Sequence, residues 1–390
     1  MTAPLPWRVT LADVTVGEPE REAILDVLDS GWLSMGPLTE QFEDAFARFT
    51  GTSEAIAVTN GTAALHLAAA ALGLGPGDEV ICPTLTFVAS AAAIRQTGAE
   101  VVLADSTSAE DFALDPTEID RLAGPRTRAV LVLHYGGYPA DMDAIRAAAG
   151  RHNLLIIEDA AHALGGYLDD AHCGTIGDAG CFSFFPNKNM TTGEGGMVVF
   201  RDPEVTARAK RLRSHAMTTL TWDRHRGHAS SYDVVGLGFN YRIDEIRAAL
   251  GLAQLRRLPG LNERRAELAA RYRELLADTP LRMPQLGGRG RSAHHLAPVL
   301  APSAAARDRI RETLHAERIQ TSVHYPPIHR FSFYRDAGVS LPRAEDATDR
   351  LITLPLHPKL ADEDVEFVVD ALTRAALAAG RQPDRPTSVS

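Results

Sequence analysis

From Glu54 to Glu158 the chain repeats one pattern, a short β-branched run followed by an alanine-rich stretch with helical spacing. The runs are EAIAV, DEVIC, EVVLA, RAVLVLHY and LLIIE, and the stretches between them include GTAALHLAAAALGL, FVASAAAIRQTG and MDAIRAAAGRHN. Strands apolar at every position, rather than at alternate ones, have both faces buried. Such strands separated by amphipathic helices specify an α/β fold with a mainly parallel central sheet covered by helices. Two more strands, AGCFSFF and GGMVVF, flank a glycine-rich turn and form a hairpin or a neighbouring pair. Ligands of these sheets bind beyond the carboxyl ends of the strands, so chemistry is expected on that rim.

The rest of the chain organises around this sheet. A helix is predicted near 203–215, then a polar, aromatic, aperiodic loop, TTLTWDRHRGHASSYDVVGLGFNYR. Helices follow at about 243–258 and 261–277, the second long enough to bridge two domains. Strands in HHLAPVLA and QTSVHY, with helices near 303–317 and 362–376, predict a smaller α/β domain. The 390 residues exceed one domain's usual length. The expected division is a large domain over 1–250 that includes the N-terminal segment, a small domain over 251–378 and a disordered tail over 379–390.

A formal net charge of −10 leaves no basic footprint for nucleic acid or for an anionic membrane surface. No run of about eighteen apolar residues and no signal peptide are present, so a soluble, cytoplasmic protein acting on small solutes is expected. Cys82, Cys173 and Cys181 lack CxxC spacing and read as buried thiols. His225 and His228, in HRGH, have no further ligand at metal spacing, so no metal is expected. That loop instead reads as reaching toward substrate phosphates or a neighbouring subunit, with Arg224 and Arg226 meeting a diphosphate.

Three signals carry the first chemical argument. Lys plus Arg totals 40, yet the only lysines are Lys188, Lys210 and Lys359. Arginine has replaced lysine almost wherever a positive charge suffices. Lys188 stands between an apolar strand and a glycine turn in CFSFFPNKNMTTGEGGMVVF. A partly desolvated lysine can lose its proton and attack a carbonyl, which an arginine cannot; a solvated turn lysine is the other reading. Asp159, directly after LLIIE, is either a carboxylate held at the strand's end or a helix N-cap. Asn60, Gly61 and Thr62, between a strand and a helix, form either a phosphate cradle or an ordinary βα turn. Neither GxxxxGK[ST] nor GxGxxG is present, against nucleotide hydrolysis and an NAD-dependent dehydrogenase. Taken together, an amine nucleophile, a buried carboxylate and a phosphate cradle are what pyridoxal 5′-phosphate (PLP) requires.

At these residues the chain resembles the DegT/StrS-type sugar aminotransferases, a branch of the fold-type-I PLP enzymes, over about residues 14–372. The matching stretches are SGWLSMGPLTEQFEDAFARFTG, NGTAALHLAAAALGLGPGDEVICPTLTFVAS, GYPADMDAI, IIEDAAHALG, FSFFPNKNMTTGEGGMVV, GFNYRIDEIRAALGLAQL and VHYPPIH. The resemblance implies Lys188 as the Schiff-base lysine and Asp159 as the partner of the cofactor's ring nitrogen. It implies Gly61, Thr62 and Ser183 as phosphate ligands, Phe87 stacked on the cofactor ring and His162 near the cofactor's phenolic oxygen. Asn240 resembles a residue that a second subunit supplies to the phosphate, in a homodimer with shared active sites; it also reads as a helix cap for RIDEIRAAL. Trp32, Tyr325 and His329 are expected near the substrate. Related sugar 3-dehydratases bear histidine at the lysine position, so Lys188 implies amino transfer.

The expected reaction moves an amino group from L-glutamate or L-glutamine to a ketone of a nucleotide-linked deoxysugar, giving an amino sugar for a natural product or cell-surface glycan. Lys188, once freed from the cofactor, would serve as the general base. Two alternatives stand beside it: transfer to a keto-cyclitol of the inosose type, and a PLP-binding regulatory protein without turnover.

Overall fold

The structure is a computed structural model that describes residues 7–219, 231–335 and 338–380. Its centre is a seven-stranded sheet built from β1 (Ile56–Val58), β2 (Glu79–Pro83), β3 (Glu100–Ala104), β4 (Thr127–Leu133), β5 (Leu155–Asp159), β8 (Ala179–Ser183) and β9 (Gly196–Phe200). Across the sheet the order is β1-β9-β8-β5-β4-β2-β3. The strands from β8 to β3 pair parallel, and β9 pairs antiparallel with both β1 and β8. The strands flanking the lysine are therefore neighbours, as one of the two sequence readings had it. A short ribbon, β6 (Tyr167–Leu168) with β7 (Ala171–His172), lies outside the sheet.

Alternation along each apolar strand explains why these segments are strands. Val80, Leu131, Ile157 and Val198 face one core, shared with α3 (Gly61–Ala71), α4 (Val88–Gln96) and α7 (Pro203–Arg213). Their neighbours turn the other way. Ile81, Val130 and Ile156 pack with α6 (Met142–Arg151) and α5 (Pro116–Leu122). Met197 and Val199 pack with α2 (Pro37–Thr50) and the start of a long helix, α8 (Glu245–Leu276). Helix α1 (Glu18–Ser30) lies along α8.

Helix α8 differs from the sequence expectation, which divided it in two near Pro259. It runs unbroken for 32 residues with Pro259 inside. A mid-helix proline forfeits one hydrogen bond and costs about 3 kcal/mol, which packing at both ends offsets. Ala248, Leu255 and Leu258 are buried against the sheet side. Leu268, Tyr272 and Leu276 belong to a second core. That core contains β10 (Ala297–Leu300), antiparallel to β11 (Leu351–Leu354), with α9 (Ala304–Ala316) and α11 (Asp362–Gly380). Helix α10 (Pro342–Arg350) leads directly into β11.

Three further expectations change. QTSVHY is not a strand: it makes one isolated bridge, Ser322 with Thr353, on the edge of β11 that β10 leaves open. The N-terminal segment, expected with the large domain, pairs Val9 with Ile319 and buries Val9 in the second core. The expected tail starts inside α11, which ends at Gly380; residues 381–390 lie outside the described residues. Among the described residues no helix is long and apolar enough to cross a membrane.

One carboxylate ties α8 to α2. The α2 N-cap is Gly36, which has no side chain to cap with. Glu245, buried in the first turn of α8, takes over: it accepts from the backbone N–H groups of Gly36 (2.9 Å), Leu38 (2.8 Å) and Thr39 (2.9 Å), and from the Thr39 hydroxyl (2.7 Å). Glu245→Ala should leave four donors without an acceptor and lower stability by about 3 kcal/mol. Chemical denaturation followed by circular dichroism measures this; a loss below about 0.5 kcal/mol would contradict the assignment.

Candidate active site

Strand β5 ends in two adjacent carboxylates that face opposite ways. Glu158 accepts from His134 Nε2 (2.7 Å) and from the backbone N–H groups of Gly174 (2.7 Å), Ile176 (2.7 Å) and Gly177. Its own burial opposes ionisation, but the His134 bond and these amides outweigh it and lower its pKa. Asp159 receives far less: the Ser90 hydroxyl at 2.7 Å and the Ala161 N–H at 3.2 Å. Among the described residues no cation lies within ion-pair distance of it, and burial raises its pKa despite the Ser90 bond. The helix-cap reading of Asp159 gives way to that of a buried carboxylate on a cavity wall.

The cavity, about 600 Å³, opens at the carboxyl ends of the parallel strands. Its wall includes Gly61, Thr62, Phe87, Asp159, His162, Ser183, Lys188 and Tyr325, so eight of the sequence-predicted residues meet in one place. Helix α3 starts at Gly61, capped by the Asn60 side chain, which accepts from Ala63 N–H at 2.8 Å. The N–H groups of Gly61 and Thr62 find no acceptor among the described residues, as expected of a helix's first turn. Glycine is required at 61, because a Cβ there would come within 2.8 Å of Ser183 Cβ. Phe87 precedes α4 and is 53% exposed, which leaves its ring free on the cavity side.

Lys188 sits on the turn between β8 and β9, and the turn is tied down. Asn189 Nδ2 donates to Ala293 O (2.7 Å) and Asn262 Oδ1 (2.8 Å), and Thr191 N–H donates to Gln254 Oε1 (3.2 Å). Gln254 and Asn262 both lie on α8, so the long helix holds the lysine's backbone. The side chain opens toward the cavity but is crowded by protein atoms. Desolvation pulls its pKa down to about 8, partly opposed by Asp159.

Other predicted residues lie elsewhere. His329 is buried between Thr84 Oγ1 (2.7 Å) and Glu345 Oε1 (2.8 Å) and does not reach the cavity. Trp32 packs beside Gly36 before α2, also off the cavity. Asn240 is exposed on a bridge to Ser214 and is not the helix cap: Asp244 caps α8, accepting from Arg247 N–H at 2.9 Å. Arg224, Arg226, His225 and His228 lie outside the described residues. Sequence reasoning passed over Ser90, Asn187 and His324, all at or beside the cavity. Asn187 Oδ1 is buried with no hydrogen-bond partner among the described residues, and Asn187 lines the cavity with Lys188. A polar residue in the first turn of an alanine-rich helix was a usable signal for Ser90; nothing in the pattern separates Asn187 from an ordinary turn residue.

The profile of the DegT/DnrJ/EryC1/StrS aminotransferase family matches residues 14–373. The spore coat polysaccharide biosynthesis protein SpsC of Bacillus subtilis (strain 168) is 39% identical over 94% of this chain and 96% of its own. The PLP form of Spr1654, a putative sugar aminotransferase from Streptococcus pneumoniae, superposes with a TM-score of 0.88 at 28% identity, covering 95% of this chain and 99% of that one. DesI, crystallised in the presence of its TDP-sugar product, gives 0.85 at 34% identity over 96% and 93%. The fold is thus that of the α/β PLP aminotransferases, and the chain is an enzyme of that class. It belongs to the DegT/DnrJ/EryC1/StrS aminotransferase family.

With only three lysines in the chain, the Lys188 amine can be followed directly. Acylation of Lys188 in the cofactor-free protein, read by peptide mass spectrometry, should reach half its limiting rate near pH 8. A midpoint near pH ~10, that of an ordinary lysine, would contradict the desolvated setting.

Proposed function

We propose that this chain is a PLP-dependent sugar aminotransferase that moves an amino group from L-glutamate or L-glutamine to a ketone of a nucleotide-linked deoxysugar. The observation that carries this reading is the shared cavity of Lys188, Asp159 and the α3 N-terminus. The residues fit the cofactor. Asp159 is a buried carboxylate that lacks a cation, and a protonated ring nitrogen supplies one. The free N–H groups of Gly61 and Thr62, with the Ser183 hydroxyl behind them, suit a phosphate at a helix N-terminus. The exposed face of Phe87 suits an aromatic ring.

When bound, PLP supplies an electron-withdrawing ring that stabilises negative charge on an amino acid's α-carbon. The chain's own groups do the rest. Lys188, with a pKa of about 8, is substantially neutral near that pH, so its amine can take the α-proton and return it to the adjacent position. Asp159 keeps a proton on the ring nitrogen. Asn240, exposed and off this chain's cavity, fits the role of a donor to a second subunit's phosphate in a homodimer. Leu237, 90% exposed, with Val234 and Val235, gives that face an apolar surface for the second copy. Support for a sugar acceptor comes from the relatives: a polysaccharide biosynthesis protein and an enzyme crystallised with its TDP-sugar product. Arg224 and Arg226 are proposed to meet the substrate diphosphate.

Adding PLP to the cofactor-free enzyme should produce a cofactor absorbance band that L-glutamate or L-glutamine removes and a keto-sugar nucleotide restores. Lys188→Ala and Lys188→Arg should both lose the band's response to amino acid, since arginine keeps the charge without the nucleophile. An unchanged response in either variant would refute the assignment of Lys188, and restoration by an inosose alone would redirect the acceptor to cyclitols.

A further inference from the structure

A second recess lies away from the active cavity and shares no lining residue with it. It holds about 380 Å³ between the last turns of α8, the segment after β4 and the glycine-rich stretch GGRGRS, a size within the roughly 300–1,000 Å³ of small-molecule sites. Arg273 from α8 and Arg291 from the stretch both line it, and no carboxylate among the described residues does. The acids closest to hand are already taken. Arg271 pairs with Glu274 (2.8 Å) and Glu366 (2.6 Å), and Arg289 pairs with Asp143 (2.5 Å) and Asp169 (3.0 Å). Arg273 and Arg291 have no ion-pair partner among the described residues. In a chain of net charge −10, two such guanidiniums in one recess invert the sign locally.

The surrounding structure aims these groups without using them up. Arg291 Cζ stands 4.5 Å over the Tyr167 ring, while its backbone N–H donates to Tyr167 O at 2.7 Å and its carbonyl accepts from Tyr167 N–H at 2.8 Å. An aromatic face consumes none of the five guanidinium donors. Arg273 stands near the Tyr138 phenol, where its charge opposes the rise in pKa that burial causes. Burial, then the same charge, draws His294 down to about 4, so this imidazole adds no cation. Ser292 is a strut: its hydroxyl donates to Gly137 O (3.0 Å) and accepts from His294 N–H (2.9 Å). Gly287 and Gly290 close the recess at φ of +58° and +95°. A Cβ would come within 2.7 Å of Pro139 O at the first and 2.3 Å of Tyr167 O at the second, so only glycine lets the stretch lie so close. Their N–H groups find no acceptor among the described residues. Free loop amides beside guanidiniums are the donor set of an oxyanion cradle.

We propose that this recess binds the phosphate group of a small phosphorylated molecule, with Arg273 and Arg291 as its charged ligands and the amides of Gly287 and Gly290 beside them. The site is separate from the active cavity and does not rest on the cofactor reading. A carboxylate offers two oxygens and one charge. A phosphate monoester offers three free oxygens and close to two charges, which suits two guanidinium forks and a pair of loop amides better. The space left beyond one phosphate group accommodates the rest of the molecule.

Calorimetric titration of inorganic phosphate into the PLP-loaded enzyme, at constant ionic strength and near neutral pH, tests the proposal. Loading fills the α3 N-terminus beforehand, so that cradle does not compete. Arg273→Gln and Arg291→Gln should each weaken phosphate binding about tenfold, the effect of losing one charge-assisted hydrogen bond. Arg271→Gln, the same change on an arginine of α8 that is already paired, should stay within about twofold of wild type. Acetate should bind about tenfold more weakly than phosphate. In spectra of the histidine-labelled protein, the His294 ring signals should shift along the same binding curve, since His294 lines the recess. Absence of binding, binding that both arginine variants leave unchanged, acetate equal to phosphate, or unmoved His294 signals would each overturn the proposal. Should the chain take up no PLP, the cofactor reading fails, and the His294 titration of the cofactor-free protein still decides this site.

Discussion

A buried carboxylate that its own protein leaves without a counter-charge is the constraint on which the rest of this site turns. Asp159 and Glu158 are consecutive, so the two-residue period of a strand sends them to opposite faces. Glu158 is saturated by one imidazole and three amides and belongs to the framework. Asp159 is held by a single hydroxyl and a single amide, and burial pushes it toward the neutral acid. A cation brought beside it would favour its ionised form. The same cavity wall carries free helix amides and an amine whose pKa burial draws down to about 8.

Helix α8 turns these local facts into one object. Its first turn caps α2 through Glu245, its middle holds the lysine turn through Gln254 and Asn262, and its last turns build the second core through Tyr272 and Leu276. Gly251 lets it lie directly against Phe42, since a Cβ there would come within 2.6 Å of the ring. At about 1.5 Å per residue the helix spans about 48 Å, enough to serve both cores. Continuity through Pro259 keeps Gln254 and Asn262, which bond to the lysine turn from either side of it, on one helix.

Much of this was legible in the sequence, for a physical reason that also marks where legibility ended. Strand ends and helix starts are written in apolar periodicity, and Lys188, Asp159, Gly61, Thr62, Phe87 and Ser183 all stand at such boundaries, so the topology carries them to one rim. Irregular segments carry no comparable rule. In HYPPIH, Tyr325 turns to the cavity while His329, four residues on, turns into a buried tie between Thr84 and Glu345. His162 and His295 are bonded by Gly136 N–H and Asn189 Oδ1, which are distant from them in sequence. Pro259 was read as a break because local propensity says so; tertiary packing at both ends overrode it.

The reversed direction of β9 has a mechanical meaning. Because β8 and β9 are antiparallel neighbours, residues 184–195 need only turn a corner, whereas parallel strands would demand a full crossover on which to hang the lysine. The corner is bolted to α8 and to Ala293 O, so the main chain offers Lys188 almost no travel. Excursions of the amine then come from rotation about its own methylene bonds, a tether whose reach is fixed in length.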